Sequence, residues 1–113
     1  MDNTPLTFSE VRKHIRAAAP EIKFTETWGD SMNSDIFSEG DLCIVERADT
    51  AADNTVVIAE VCGENLLKRL RYVDGKAELH SDNPKYAPMQ MCKWPPGSWR
   101  IVARVVFIVR KFV

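Results

Sequence analysis

Two side chains of this sequence could share one chemistry, Ser31 and Lys68. Ser31 stands in Trp28-Gly29-Asp30-Ser31-Met32, after a β-rich run and a Gly-Asp turn. A serine there can present its hydroxyl at a strand end, with backbone N–H groups free to face a developing oxyanion. Taken alone, Gly29-Asp30-Ser31 reads first as an ordinary turn. A hydroxyl nucleophile also needs a base. His14 lies in a helical pattern between Lys13 and Ile15, and His80 ends a strand before Ser81-Asp82. Both read as solvated surface histidines. Asp30, Asp35, Glu39 and Asp41 fall in polar loops and read as solvated or capping. Lys68 differs because of its neighbours, Asn65-Leu66-Leu67-Lys68-Arg69-Leu70. In a strand, Leu66, Lys68 and Leu70 share one face, and Leu67, Arg69 and Arg71 the other. A lysine between leucines on an inward face is desolvated, which lowers its pKa. A fall of about three units corresponds to roughly 4 kcal/mol of differential solvation. A neutral lysine can take the serine proton, so serine and lysine suffice as a catalytic pair. The alternative is a lysine that snorkels from an edge strand. The arginines of the other face read as solvated.

These residues must be positioned by a mostly β chain. In TPLTFSEVRKHIRAAAP, Phe8, Val11, Ile15 and Ala18 follow helical spacing, and Thr7 with Glu10 fits a capping box. Pro20 ends that pattern. The helix has one apolar stripe and is expected to lie on something. Strands are predicted over Ile22–Trp28, Leu42–Arg47, Thr55–Val61, Asn65–Val73, Lys76–His80, Ala87–Met91 and Trp99–Phe112. Asp74-Gly75 is the strongest hairpin signal, because Gly accepts φ > 0. The last run, WRIVARVVFIVRKFV, would make a long strand whose edge must be covered or paired. A dimer contact there is expected. The division expected is a helical segment over 1–20 and one domain over 21–113.

Composition narrows the classes. The chain has 113 residues, 15 Lys+Arg and 16 Asp+Glu, and a formal net charge of −1. That length suits one domain. The balanced charge argues against nucleic-acid binding through a general basic field. No apolar run approaches the ~20 residues of a membrane span, and MDNTPLTFSE lacks the features of a signal peptide. Three cysteines without a CxxC pair, Cys43, Cys62 and Cys92, point to a reducing, cytoplasmic setting. Cys43 and Cys62 sit in apolar runs and read as small buried residues, and Cys92 stays unassigned. Trp28, Trp94 and Trp99 read as core more than contact. No HExxH or HxH pair suggests a metal, and no cofactor is expected.

Several segments resemble one family in order. Gly29-Asp30-Ser31-Met32 resembles the serine motif of the LexA/UmuD peptidases, the S24 class. Glu39-Gly40-Asp41-Leu42-Cys43-Ile44-Val45 is similar to the turn and strand that follow it there. Thr55-Val56-Val57-Ile58-Ala59 resembles the strand before that family's lysine motif, and Leu67-Lys68-Arg69-Leu70 resembles the lysine motif itself. Leu79 to Pro88 is similar to its L-x-x-x-N-x-x-Y/F-x-P segment, and Ile101 to Val106 to its closing strand. The match runs from about Phe24 to Arg110. The resemblance implies a compact, mostly β LexA/UmuD-like domain of twisted antiparallel sheets with one short N-terminal helix. It implies Ser31 as nucleophile, Lys68 as general base, backbone amides at Ser31 and Met32 as oxyanion hole, and Asp30 as a turn residue. Members are usually homodimers that cut their own chain at an Ala-Gly or Cys-Gly bond upstream, promoted by a RecA–single-stranded DNA filament.

The sequence departs from that pattern in places. The loop Asn33-Ser34-Asp35-Ile36-Phe37 lacks the family's frequent proline. No Ala-Gly or Cys-Gly bond precedes Ser31, and Cys62-Gly63 falls in a predicted hairpin turn. No helix-turn-helix pattern is present. The expectation is a self-cleaving Ser-Lys peptidase domain of a LexA-like or phage-type repressor or a UmuD-like SOS mutagenesis protein, without its cleavable arm and without a DNA-binding domain. Its expected partners are a second copy through the C-terminal strand region, a RecA filament or an error-prone polymerase subunit, with no direct DNA binding and no membrane. The alternative is a dimerisation or partner-binding module of the same fold whose dyad is unused. A signal-peptidase relative is set aside, since such enzymes normally carry a membrane anchor.

Overall fold

In a computed structural model, the protein is described over residues 7–18, 23–26, 31–34, 38 and 40–110. The helix α1 spans Phe8–Ala18. Its start is the capping box expected: Glu10 N–H donates to Thr7 Oγ1 at 3.2 Å, and Thr7 N–H donates to Glu10 Oε2 at 3.1 Å. The side chains of Phe8, Ile15 and Ala18, which define the apolar stripe, lie outside the described residues, as do Asp30, Asp35, Glu39 and Trp28.

Among the described residues seven strands follow: β1 Lys23–Glu26, β2 Leu42–Arg47, β3 Val56–Val61, β4 Glu64–Val73, β5 Lys76–His80, β6 Met89–Gln90 and β7 Trp99–Val109. A short 3₁₀ turn, Met91–Lys93, separates the last two. All pair antiparallel in one sheet of order β1-β2-β7-β3-β4-β5-β6. The mostly β reading of the sequence therefore holds. Two hairpins build its centre. Asp74-Gly75 joins β4 to β5 with φ of 52° and 76°, and Cys62-Gly63 joins β3 to β4 with φ of 50° and 86°. Positive φ at both turn residues matches the strand twist, which favours this turn type.

The long last strand is covered in part. β7 pairs with β3 over Trp99–Arg104 and with β2 over Ala103–Val109, so Val105–Val109 keep an edge with no strand partner among the described residues. It also carries two irregularities. Ile58 and Ala59 oppose Ala103 and Ile101, which leaves Val102 as an extra residue. Ile44 and Val45 oppose Phe107 and Val105, which leaves Val106 as another. Each bulge reverses which side chains face which way. Ile101 and Trp99 thus join one apolar cluster, with Val57, Ala59, Val61, Leu70, Leu79 and Met91. Ala103, Val105 and Ile108 join the other, with Met32, Cys43, Val45, Val56 and Leu67.

Three readings of the sequence are corrected. Cys62 is exposed, because it occupies the hairpin turn and not the strand before it. Cys43 is buried as expected, and burial, then the nearby Asp41 charge, pushes its thiol up to about 11. Asp41 is no solvated loop carboxylate: it is 3% exposed and gripped by both Nε and Nη2 of Arg110, at 2.9 and 2.8 Å. Arg69 and Arg71 are not simply solvated, since each holds a carboxylate, Asp82 and Asp53. Of the tryptophans described, Trp99 packs on a core cluster and Trp94 is exposed.

Candidate active site

Strand β4 presents Lys68 on the face shared by Leu66 and Leu70, opposite Val57 of β3. Alternation in the strand does this, as the sequence pattern required. The side chain is half-buried, and loss of hydration holds its pKa below the ordinary 10.5. Burial disfavours the ammonium form, so the sign is that of a lysine eased towards base function.

The partner of Lys68 is Ser81. Lys68 Nζ donates to Ser81 Oγ at 2.7 Å, and among the described residues Ser31 is not its hydrogen-bond partner. Ser81 is the first residue after β5, whose His80 lies across from Arg69 of β4. The next residue is fixed as well: Arg69 Nε and Nη2 donate to the two oxygens of Asp82, each at 2.8 Å. A bidentate guanidinium–carboxylate pair fixes geometry as well as adding energy.

The same short loop reaches Ser31. Asn83 N–H donates to the Ser31 carbonyl oxygen at 3.0 Å, and Asp82 N–H contacts Met32 Sδ at 3.4 Å. Met32 is buried in the cluster with Leu67, Cys43 and Val45, while Ser31 stays partly exposed. Three consecutive residues, Ser81 to Asn83, thus tie the serine segment to the lysine strand. Sequence reasoning named both tied segments and missed Ser81 as a site residue. The serine two residues before Asn83 lay in a motif already singled out, but nothing local marks it as a lysine partner.

The other candidates resolve differently. His80 Nε2 is paired with Glu78 Oε1 at 2.8 Å, so it is half-buried and engaged. His14 is exposed, as expected. Among the described residues, no three His, Cys, Asp or Glu side chains form a metal-sized cluster, and no helix is long and apolar enough to cross a membrane.

Comparison with known proteins identifies the family. A family model described as Peptidase S24-like matches residues 3–106. LexA repressor 2 of Geobacter sulfurreducens is 32% identical over 106 residues, covering 90% of this chain and 52% of that protein. LexA repressor of Koribacter versatilis is 33% identical over 92 residues, 81% of this chain and 43% of its own length. LexA repressor of Oleidesulfovibrio alaskensis is 38% identical over 80 residues, 71% of this chain and 38% of its own. The chain therefore spans about half the length, or less, of the curated relatives it matches. With residues 3–106 matched by one family model and relatives 32–38% identical over most of the chain, the chain belongs to the Peptidase S24-like family.

Proposed function

We propose that this chain is a Ser-Lys peptidase domain that cuts its own polypeptide, the self-processing half of a LexA-like repressor or a UmuD-like accessory protein. The observation that carries it is Lys68, half-buried between leucines on β4, with its strand tied by one loop to the Ser31 segment. In this reading neutral Lys68 Nζ takes the proton of Ser31 Oγ as that oxygen attacks the scissile carbonyl carbon. Backbone N–H groups at Ser31 and Met32 stabilise the oxyanion. The lysine ammonium returns its proton to the leaving amine. Lys68 then deprotonates the water that hydrolyses the acyl-serine ester. The relatives' names, LexA repressor, support a repressor context; the DNA-damage response, a RecA filament as trigger and a cytoplasmic setting are further parts of the same proposal.

A chain extended at its N-terminus by an arm containing Ala-Gly should be cut at alkaline pH, where the lysine is deprotonated. Ser31→Ala should abolish cutting, and Lys68→Ala should slow it by about 100-fold or more. Equal cutting by the Ser31→Ala variant would sink the dyad.

A second reading, a partner-binding module with an unused dyad, is favoured by one observation: Lys68 is held by Ser81 and not by Ser31. It requires that no arm be cut under any condition while the chain still self-associates.

A further inference from the structure

We propose that Ser81 is a positioning residue of this site, its hydroxyl holding Lys68 Nζ so that the lone pair of the amine has a fixed direction. The proposal rests on the Ser31–Lys68 reading above. A neutral lysine carries one lone pair at the end of a flexible stem with about 2 kcal/mol of rotamer entropy. Left free, it spends most of its time pointing elsewhere, and proton transfer needs near-ideal geometry. The 2.7 Å bond to Ser81 Oγ removes that freedom.

Ser81 can act as a fixed post because its own backbone is held on both sides. Before it, His80 is in register with Arg69. After it, Asp82 is clamped by two 2.8 Å bonds from Arg69, and Asn83 N–H binds the Ser31 carbonyl. The residue type also matters. The charged groups around this crossing are already engaged with one another: Asp82 with Arg69, and Glu78 with His80. From β3 the lysine meets only Val57 in register. A neutral hydroxyl at position 81 therefore orients the amine without adding a carboxylate, which would favour the ammonium form and oppose the effect of burial.

The test uses the chain as it stands and a fluorophosphonate probe. In that reaction the Ser31 Oγ–P bond forms, the P–F bond breaks, fluoride leaves, and the serine proton goes to Lys68. The rate of adduct formation at Ser31 is followed by mass spectrometry from pH 6 to 11, with thermal midpoints measured in parallel. Ser81→Ala should lower the alkaline plateau by about ten- to a hundredfold. Ser81→Thr should restore it. Ser81→Asp should move the midpoint of the pH profile up by about one to three units. A wild-type chain labelled at Ser31, with Ser81→Ala and Ser81→Asp matching it in plateau and midpoint, overturns the positioning role and leaves the dyad standing. Loss in Ser81→Ala that tracks a lowered thermal midpoint and is not restored by Thr assigns Ser81 a purely structural role and also overturns it. No adduct on the wild type, or adduct on Ser81 undiminished in Ser31→Ala, removes the dyad and this proposal together.

Discussion

Asp41 shows how much a single residue depends on a distant one. It precedes β2, and its guanidinium partner Arg110 stands just past β7, 69 residues later. Ser38 N–H adds a third bond to the carboxylate, at 2.8 Å. The Arg110 hydrogen bonds, then that N–H, hold the Asp41 pKa below its ordinary value of 3.8, against the opposing effect of burial. A carboxylate whose folded pKa is depressed stabilises the fold above its unfolded value, and that contribution fades as pH falls through the folded one. Arg110→Ala should therefore lower the thermal midpoint at pH 7, because a buried carboxylate loses its cation. The gap to wild type should begin to narrow as pH drops below about 4, where Asp41 protonates first in the unfolded chain, and narrow further as pH falls through the lower folded value. Melting followed by circular dichroism from pH 7 to pH 3 checks this; a gap that widens in acid would reverse the assignment. None of this was readable from Glu39-Gly40-Asp41-Leu42, which is an ordinary turn sequence until the partner strand arrives. The same holds for Ser81, whose lysine lies 13 residues away across a hairpin.

Among the elements, β4 was legible and β7 only half so. In β4 the alternation of Leu66, Lys68 and Leu70 survives intact, and Asp74-Gly75 sets the register of its hairpin with β5. In β7 the bulges at Val102 and Val106 break the alternation, and bulges are placed by the neighbours on either side. The sequence WRIVARVVFIV, rich in β-branched residues throughout, gives no sign of where the phase changes. Strand β5 connects core to site: Leu79 is fully buried, lies opposite Leu70, and is two residues from Ser81. Leu79→Ala should cost about 2–5 kcal/mol in a urea titration, as for other buried leucines. A loss under about 0.5 kcal/mol would show that the cluster with Leu70, Met91 and Ile101 closes over the gap and does not hold the β5 end.

At the scale of the whole molecule, one end of β7 exposes an apolar surface. Phe107 is 66% exposed and Val106 is also exposed, beside a groove lined by Val56, Val105 and Ile108. From Val105 to Val109, β7 pairs with β2 and has no β3 partner among the described residues, so a second copy can meet both this open edge and the apolar face beside it. We propose that two copies of the chain associate at this end of β7. Burying one phenylalanine contributes about 1.5–3 kcal/mol, so Phe107→Glu should weaken self-association by about tenfold or more. Sedimentation velocity over a hundredfold concentration range checks it. A wild-type chain that stays monomeric throughout, or a Phe107→Glu variant that dimerises as well as wild type, would place the contact elsewhere or nowhere.

The sequence by itself determined the features that depend on near neighbours. The capped helix, the hairpin turn at Asp74-Gly75, most strand spans, the lysine on an apolar strand face and the family's ordered motifs all follow from local spacing. Tertiary structure alone decided which distant groups meet. It buried Asp41 against Arg110, ordered β7 between β2 and β3, turned Cys62 outwards and gave Lys68 to Ser81. The physical reason is range: backbone conformation is set within a few residues, whereas ion pairs, bulges and hydroxyl partners are fixed by strand order, which no local pattern encodes.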